Sequence, residues 1–427
     1  MKIPPVKGTR DFYPQDMILR NWIIDGWKQV SLRNGFEEYD GPIFEHLRMY
    51  QIKSGDEIAD QLFSLQDRGG RDLAIRPEIT PTLARMVNQK INSLPRPIKW
   101  FSAPRLCRAE RPQKGRLREF FQWNIDIIGV DDILADAEVI FTAVDYLRSV
   151  KLDSSDIRVK ISSRRLLAAS LRAIGVPEDQ LGPVYAMLDK YRKVPQEALE
   201  EMLLELTTNA EIVARIVDYM AMPTLLDVAQ IVGGNVEIES AVEELARLKE
   251  LLEQMGVWQY CEFDASIVRG LAYYTGVVFE IHAQDLRAIC GGGRYDNLLR
   301  DFGGPTMSAT GMGMGDCVLE ILLREKGILD EQLPRRSLDF FVVCVDETYR
   351  DAAVGLTMKL RSAGKIANFS YKAAKLGKQL KEASEQNAGK SIIVGDEFRQ
   401  GKVAIKDMAT GEQEYVDVQQ YLSQLNL

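Results

Sequence analysis

The sequence predicts an α+β protein: a first domain built on an antiparallel sheet, interrupted by a helical insertion and followed by a small α/β domain. Three observations predict it. Two apolar-rich strand candidates, 100–105 and 120–128, flank a basic loop, the pattern of an antiparallel pair with a long connection. Between about 164 and 255 the composition turns to Leu, Glu and Ala at helical spacing with few strand signals, so a helical module is inserted there. After Leu333-Pro334-Arg335-Arg336, strands and helices alternate, as in a small α/β domain with a parallel or mixed sheet. The boundaries are therefore drawn at 1–163 plus 256–330, 164–255 and 334–427. A length of 427 residues agrees with three domains of about 150 residues each.

Taken in order, Met17, Ile18, Trp22, Ile23, Trp27 and Val30 recur at three- and four-residue spacing, which predicts a helix over 16–33 ended by Gly35. Short strands are expected at 36–39, before Gly41-Pro42, and at 72–75, before Arg76-Pro77. A helix follows at 135–149, and strand character returns at 262–267 and 277–282. In the last domain, strands are expected at 340–345, 366–371 and 391–395.

Composition narrows the chemistry. With 46% apolar and 27% charged residues this is an ordinary globular chain, with no apolar run of membrane-spanning length. The opening residues lack the apolar stretch of a secretory signal, so a cytoplasmic protein is expected. The net charge of −8 means that any polyanion must be met by a local basic patch. Five scattered cysteines, without a CxxC pair, argue against a zinc site or disulfide framework and read as reduced. Only two histidines, His46 and His282, leave little material for a Ser/His/Asp hydrolase.

Nucleotide-binding signatures fail on inspection. Gly389-Lys390-Ser391 has Ser384 where a P-loop needs its first glycine, and Gly311, Gly313 and Gly315 lack the full dinucleotide fingerprint. Four other segments carry chemistry. Arg105, Arg108, Arg111, Lys114, Arg116 and Arg118 surround Glu110, with Phe120 and Phe121 alongside; this is either a solvated charged loop or a phosphate grip with a stacking surface. Arg76-Pro77-Glu78-Ile79-Thr80 offers a carboxylate and a hydroxyl at a strand end, or a helix cap with Thr80 at the N-cap. Arg269 to Gly276 joins a cation to the phenols of Tyr273 and Tyr274, of which one core and one surface residue are expected. Gly291-Gly292-Gly293-Arg294-Tyr295-Asp296 either lets a ligand approach the backbone or forms a plain glycine turn.

Together these segments resemble the class II aminoacyl-tRNA synthetases, and within them the histidyl-tRNA synthetase family. Lys7-Gly8-Thr9-Arg10-Asp11-Phe12-Tyr13-Pro14 resembles the family's opening, and the segment from Gly35-Phe36 to Pro42 resembles class motif 1, which builds the dimer interface. The run from Arg108-Ala109-Glu110-Arg111-Pro112 through Gln122 resembles motif 2 in its histidyl form, and residues 269–280 resemble the histidine-specific signature. The resemblance spans nearly the whole chain and implies a class II catalytic domain, a helical insertion and a C-terminal anticodon-binding domain. The implied activity is that of a histidine–tRNA ligase, a homodimer acting on L-histidine, ATP with Mg2+, and tRNA-His. No membrane is implied.

Carried over by residue, the resemblance implies that Arg108 holds the ATP α-phosphate, Glu110 reads the adenine amino group, Arg116 grips the γ-phosphate and Phe120 stacks on adenine. Glu78, Thr80, Gln122 and Asp126 would bind histidine, with Tyr273, Tyr274 and Tyr295 around its imidazole. Arg269 would be the catalytic cation beside the α-phosphate, together with Arg108, and would also touch histidine. Gln113 and Arg118 would meet the acceptor end of the tRNA. Two positions depart from the family pattern: Val318 stands where motif 3 usually ends in an arginine, and Ala272 replaces the acid of RGLDYY. A synthetase-like regulatory subunit of histidine biosynthesis, binding histidine without charging tRNA, is the alternative; Arg108, Arg116, Arg269 and the last domain argue against it.

Overall fold

Alternation along 119–128, Glu-Phe-Phe-Gln-Trp-Asn-Ile-Asp-Ile-Ile, organises the fold. The computed structural model describes residues 3–54, 62–191, 193–222, 224–228, 232–268, 273–283, 286–334, 337–371 and 374–425. In it this segment is a ten-residue strand, Glu119–Ile128. Successive side chains of a strand point to opposite faces. Phe121, Trp123, Ile125 and Ile127 enter the largest apolar core, whereas Gln122, Asn124 and Asp126 line a cleft on the other face.

The strands of the first part are β1 (Glu37–Glu38), β2 (Phe44–His46), β3 (Ser64–Gln66), β4 (Asp72–Ile75), β5 (Ile98–Ser102), β6 (Arg105–Cys107) and β7 (Glu119–Ile128). They continue with β8 (Ile157–Ser163), β9 (Cys261–Phe263), β10 (Val277–Ala283), β11 (Cys290–Arg294) and β12 (Ala309–Gly315). The main sheet runs β1-β5-β7-β12-β11-β10-β8-β9, with β6 as a side partner of β7, and a small sheet runs β2-β4-β3. The centre of the main sheet is antiparallel as expected, but both edges are parallel: β1 pairs with β5, and β8 with β9. Two departures from the expected strands have a visible cause. The apolar run over 100–105 is split by Ala103-Pro104, since proline cannot donate to a ladder, so both β5 and β6 pair antiparallel with β7. The expected strand over 262–267 ends at Phe263, where Asp264 accepts from the backbone N–H and hydroxyl of Ser266 and turns the chain.

The first helix, α1 (Pro14–Arg33), begins two residues earlier than its apolar spacing indicated. Proline is tolerated in the first helical turn, and Asp16 accepts from the Tyr13 N–H at 3.0 Å. Leu19, Ile23, Trp27 and Val30 form its buried stripe, and Trp27 stacks on Trp123 with ring centroids 6.3 Å apart. Helix α2 (Leu47–Ser54) packs on the small sheet, and α3 (Thr80–Lys90) covers part of a second core containing Ile79, Leu83 and Val87. The helix α4 (Leu134–Ser149) packs against α1 on the apolar face of the sheet.

Residues 164–254 are helical wherever regular structure is described, from Arg164–Ile174 to Val236–Gln254. Their apolar stripes share one continuous core with the sheet. Backbone contacts divide the chain into two units, Met1–Leu333 and Pro334–Leu427. The second has its own sheet: Ala367–Phe369, Leu338–Cys344 and Ala388–Val394 pair parallel, and Lys402–Asp407 and Gln413–Asp417 extend it antiparallel. This is the mixed sheet expected from the alternation of elements.

Candidate active site

The cleft on the polar face of β7 owes its shape to glycine. Antiparallel register sets Gln122, Asn124 and Asp126 opposite Gly315, Gly313 and Gly311 of β12, and Gly291 and Gly293 of β11 lie beyond them. A Cβ at Gly311 would stand 2.1 Å from the Asp126 Oδ1, and one at Gly313 would stand 2.9 Å from the Gln122 Cδ. A Cβ at Gly292 would meet the Gly311 carbonyl oxygen at 2.3 Å. Residues 291–293 therefore lie in a strand, packed too closely for side chains at Gly292 and Gly293, rather than in a glycine turn. In the GxGxG run at 311–315, which is an incomplete dinucleotide fingerprint in the sequence, Gly311 and Gly313 make room for the polar groups of Asp126 and Gln122.

Two chambers occupy this face. One is lined by Glu78, Thr80, Asn124, Asp126, Tyr273, Tyr274, Tyr295 and Met312, the other by Glu110, Gly115, Arg116, Leu117, Phe120, Cys317 and Val318. Arg108, Gln122, Gly291 and Gly313 line both, so the chambers are joined along one wall.

In the first chamber the Tyr295 hydroxyl donates to the Asp126 Oδ1, and both residues are buried. Burial, with the Asp126 charge added, holds the Tyr295 phenol well above its usual range, so it stays protonated and donates. The Tyr273 ring lies 4.4 Å from that of Tyr274 and 5.7 Å, edge to face, from that of Tyr295. Tyr274 is buried and Tyr273 half-buried, close to the expected division. Glu78 comes from the link between β4 and α3, and Thr80 from the start of α3. Thr80 is not the N-cap: Ile79 holds that position without a side-chain bond, and Thr80 is the first helical residue, facing the chamber.

In the second chamber Arg108 donates from Nε to the Pro77 carbonyl at 3.1 Å, with its guanidinium 5.1 Å from the Phe120 centroid. Arg116 pairs with Glu110 at 2.9 Å. The cationic loop is not uniformly aimed at the cleft. Arg105 pairs with Glu119 at 2.6 Å and lies over Phe121, and Lys114 reaches Glu325 at 3.3 Å. Arg118 donates to the Glu110 and Lys7 carbonyls, and its backbone N–H to the Gly8 carbonyl, bracing the base of the hairpin. Gln113 is exposed near the hairpin tip, where its backbone exchanges hydrogen bonds with Arg116. The opening segment is tied across this region: Arg10 pairs with Asp316 at 2.5 Å and Glu320 at 3.5 Å, and Asp316 accepts from the Phe121 N–H at 3.0 Å.

Arg269 and Ala272 lie outside the described residues. The sequence reading missed Asn124, the glycine floor and the approach of the hairpin turn at Gly115 to Val318. The last is direct: a Cβ on Gly115 would stand 3.0 Å from the Val318 Cγ2. Among the described residues no helix is long and apolar enough to cross a membrane, and no group of three or more His, Cys, Asp or Glu could hold a metal ion.

Comparison with known proteins agrees with this architecture. Residues 8–315 match the family model described as histidyl-tRNA synthetase, and 339–426 match that of an anticodon binding domain. A histidine–tRNA ligase of Arabidopsis thaliana, described as chloroplastic/mitochondrial, is 40% identical over 96% of this chain and 84% of its own length. One from Opitutus terrae is 37% identical over 94% of this chain and 93% of its own. The crystal structure of histidyl-tRNA synthetase from Nostoc sp. PCC 7120 shares the fold, with a TM-score of 0.82 at 24% identity over 100% of this chain and 99% of that one. The chain therefore belongs to the histidyl-tRNA synthetase family.

Proposed function

We infer that this chain activates histidine with ATP, giving histidyl-adenylate and pyrophosphate, and then transfers the histidyl group to the 3′ end of tRNA-His. The observation that carries the reading is the shared wall: Arg108 and Gln122 border both an acidic, phenol-lined chamber and a cationic chamber with an aromatic face. Two substrates held there would meet at Arg108.

In this reading Glu78, Thr80, Gln122 and Asp126 hold histidine, with Tyr273, Tyr274 and Tyr295 around the imidazole. The Tyr295 hydroxyl fixes one Asp126 oxygen, which orients the carboxylate before substrate arrives. Phe120 offers the adenine a stacking face, Glu110 accepts from its amino group and Arg116 holds the γ-phosphate. Glu110 and Arg116 pair with each other here, so they part when nucleotide enters; a partly exposed pair of this kind is worth only about 0–1 kcal/mol. The histidine carboxylate attacks the α-phosphorus in line and pyrophosphate leaves. Arg108, and Arg269 by family resemblance, stabilise the charge that develops on the phosphoryl oxygens. A hydroxyl of the terminal tRNA ribose then attacks the activated carbonyl and AMP leaves. No protein nucleophile is required; positioning and preorganised charge supply the catalysis. A magnesium ion bound with the nucleotide would neutralise charge on its phosphates.

The remaining parts of the reading are a homodimer, tRNA contacts at Gln113 and Arg118, and a cytoplasmic location, with which five free cysteines agree. The dimer is supported by the position of β1 at the sheet edge and by exposed Ile43, Phe44, Ile52 and Leu65 on the neighbouring small sheet and helix. The regulatory-subunit alternative is disfavoured by Arg108 and Arg116 in the cleft and by the anticodon-binding domain. Histidine-dependent ATP–pyrophosphate exchange tests the reading. Exchange with histidine alone among the amino acids is expected, and a folded protein with no exchange would overturn it.

A further inference from the structure

We propose that Arg287 is a further ATP-binding residue, its guanidinium taking the outer phosphates at the mouth of the cationic chamber. The proposal rests on reading that chamber as the ATP site and deepens it.

A triphosphate is strongly anionic, yet the described lining of the chamber supplies only two cations. Arg108 sits on the wall shared with the histidine chamber, and Arg116 is already paired with Glu110. Val318, at the position where the family pattern has an arginine, presents a methyl group to Gly115 instead of a charge. Lys114, on the same hairpin turn, is drawn away to Glu325. Among the described residues, the hairpin side of the chamber is therefore short of unpaired positive charge.

Arg287 is placed to supply it. It immediately precedes Ala288 and Ile289, which line the chamber as the chain enters β11. Its Nη2 donates to the Gln113 Oε1 at the hairpin tip, and the Gln113 backbone is bridged to that of Arg116. The side chain thus reaches from the residue before the chamber-lining Ala288 and Ile289 to the hairpin turn that carries Gly115 and Arg116, with its guanidinium exposed. Its described partner is a neutral amide. A guanidinium has five donors, and exchanging an amide oxygen for phosphate oxygens replaces a neutral hydrogen bond with charge-assisted, bidentate ones. In this arrangement Arg287 does from the strand side what a cation at position 318 would do from the helix side.

The test compares ATP with AMP, which lacks the outer phosphates, in Arg287→Ala. Arg287 is exposed, so the substitution leaves the fold intact, which a thermal melt verifies. In histidine-dependent exchange the variant should raise the KM for ATP by about tenfold or more, while inhibition by AMP and the KM for histidine stay within about twofold. An unchanged KM for ATP would overturn the proposal. So would a parallel loss of AMP affinity, because that result would mean Arg287 only positions the hairpin through Gln113. Absence of exchange in the unsubstituted chain would instead sink the functional reading itself, so the two failures are distinct.

Discussion

Gly311→Ala tests whether the glycine floor exists to admit the Asp126 carboxylate. A Cβ added there would stand 2.1 Å from the Asp126 Oδ1 and 2.7 Å from the Ile125 carbonyl oxygen, which is backbone of the paired strand. Ordinary contact begins near 3.4 Å, so the carboxylate must retreat by more than about 1 Å or β12 must separate from β7. Retreat is costly, because Asp126 is only 3% exposed and its Oδ1 accepts from the Tyr295 hydroxyl. Overpacking of this kind costs about 1–3 kcal/mol, and the disturbed hydrogen bond to a charged group about 1.5–3 kcal/mol. The second amount, if it falls on histidine binding, raises the KM for histidine about ten- to a hundredfold while the KM for ATP changes little. Exchange kinetics with each substrate varied, alongside urea unfolding, measure both parts. Gly182→Ala, where the added Cβ meets nothing within 4 Å, is the control and should leave kinetics unchanged. A Gly311→Ala protein with unaltered histidine KM and unaltered stability would refute the reasoning.

Three further outcomes are expected. Glu78→Gln keeps the size of the side chain and removes its charge, so the histidine requirement should rise with the ATP requirement little changed; a joint rise, or none with the fold intact, would remove Glu78 from the histidine site. Arg294→Met should destabilise the first unit by about 3–5 kcal/mol in chemical unfolding, because it leaves the Asp136 carboxylate buried without its cation, 2.9 Å from the Arg294 Nε in the parent. Burial, opposed by Arg294, pushes the Asp136 carboxyl up to about 6, and loss of Arg294 raises it further. A raised acid lowers stability as pH climbs from its unfolded to its folded pKa, so the deficit should be smaller at pH 5 than at pH 8, and a pH-independent deficit would contradict this account. The dimer is checked by sedimentation at micromolar concentration, where a fully active monomer would exclude it.

How much of this was legible in the sequence depended on whether the signal was local. The alternation over 119–128 carries its own period, so one face could be read as core and the other as polar without knowledge of any neighbour. The stripe of α1 and the cationic hairpin are local in the same sense. What one window of sequence cannot supply is register. The side chains of Gln122 and Asp126 need glycine on the paired strand, and Gly313 and Gly311 of β12 supply it from almost two hundred residues away. The same holds for electrostatics: six cations in one loop look equivalent in sequence, and only the folded chain sends Arg105 to Glu119, Lys114 to Glu325 and Arg116 to Glu110.

The departure at position 318 follows the same logic. Read alone, a valine in place of an arginine is a missing charge. In the fold its Cγ2 lies beside the turn at Gly115, where an added Cβ would stand 3.0 Å from it, so the hairpin meets the helix Asp316–Glu325 at an apolar methyl rather than a charge. The same hairpin carries Arg116 and Gln113, and through Gln113 it gives Arg287 a partner. Reverting Val318 alone to a charged residue would therefore change two things together, adding a cation and removing a packing surface. Losses and gains at that position can be interpreted only beside a variant of Arg287, where charge changes and the packing does not.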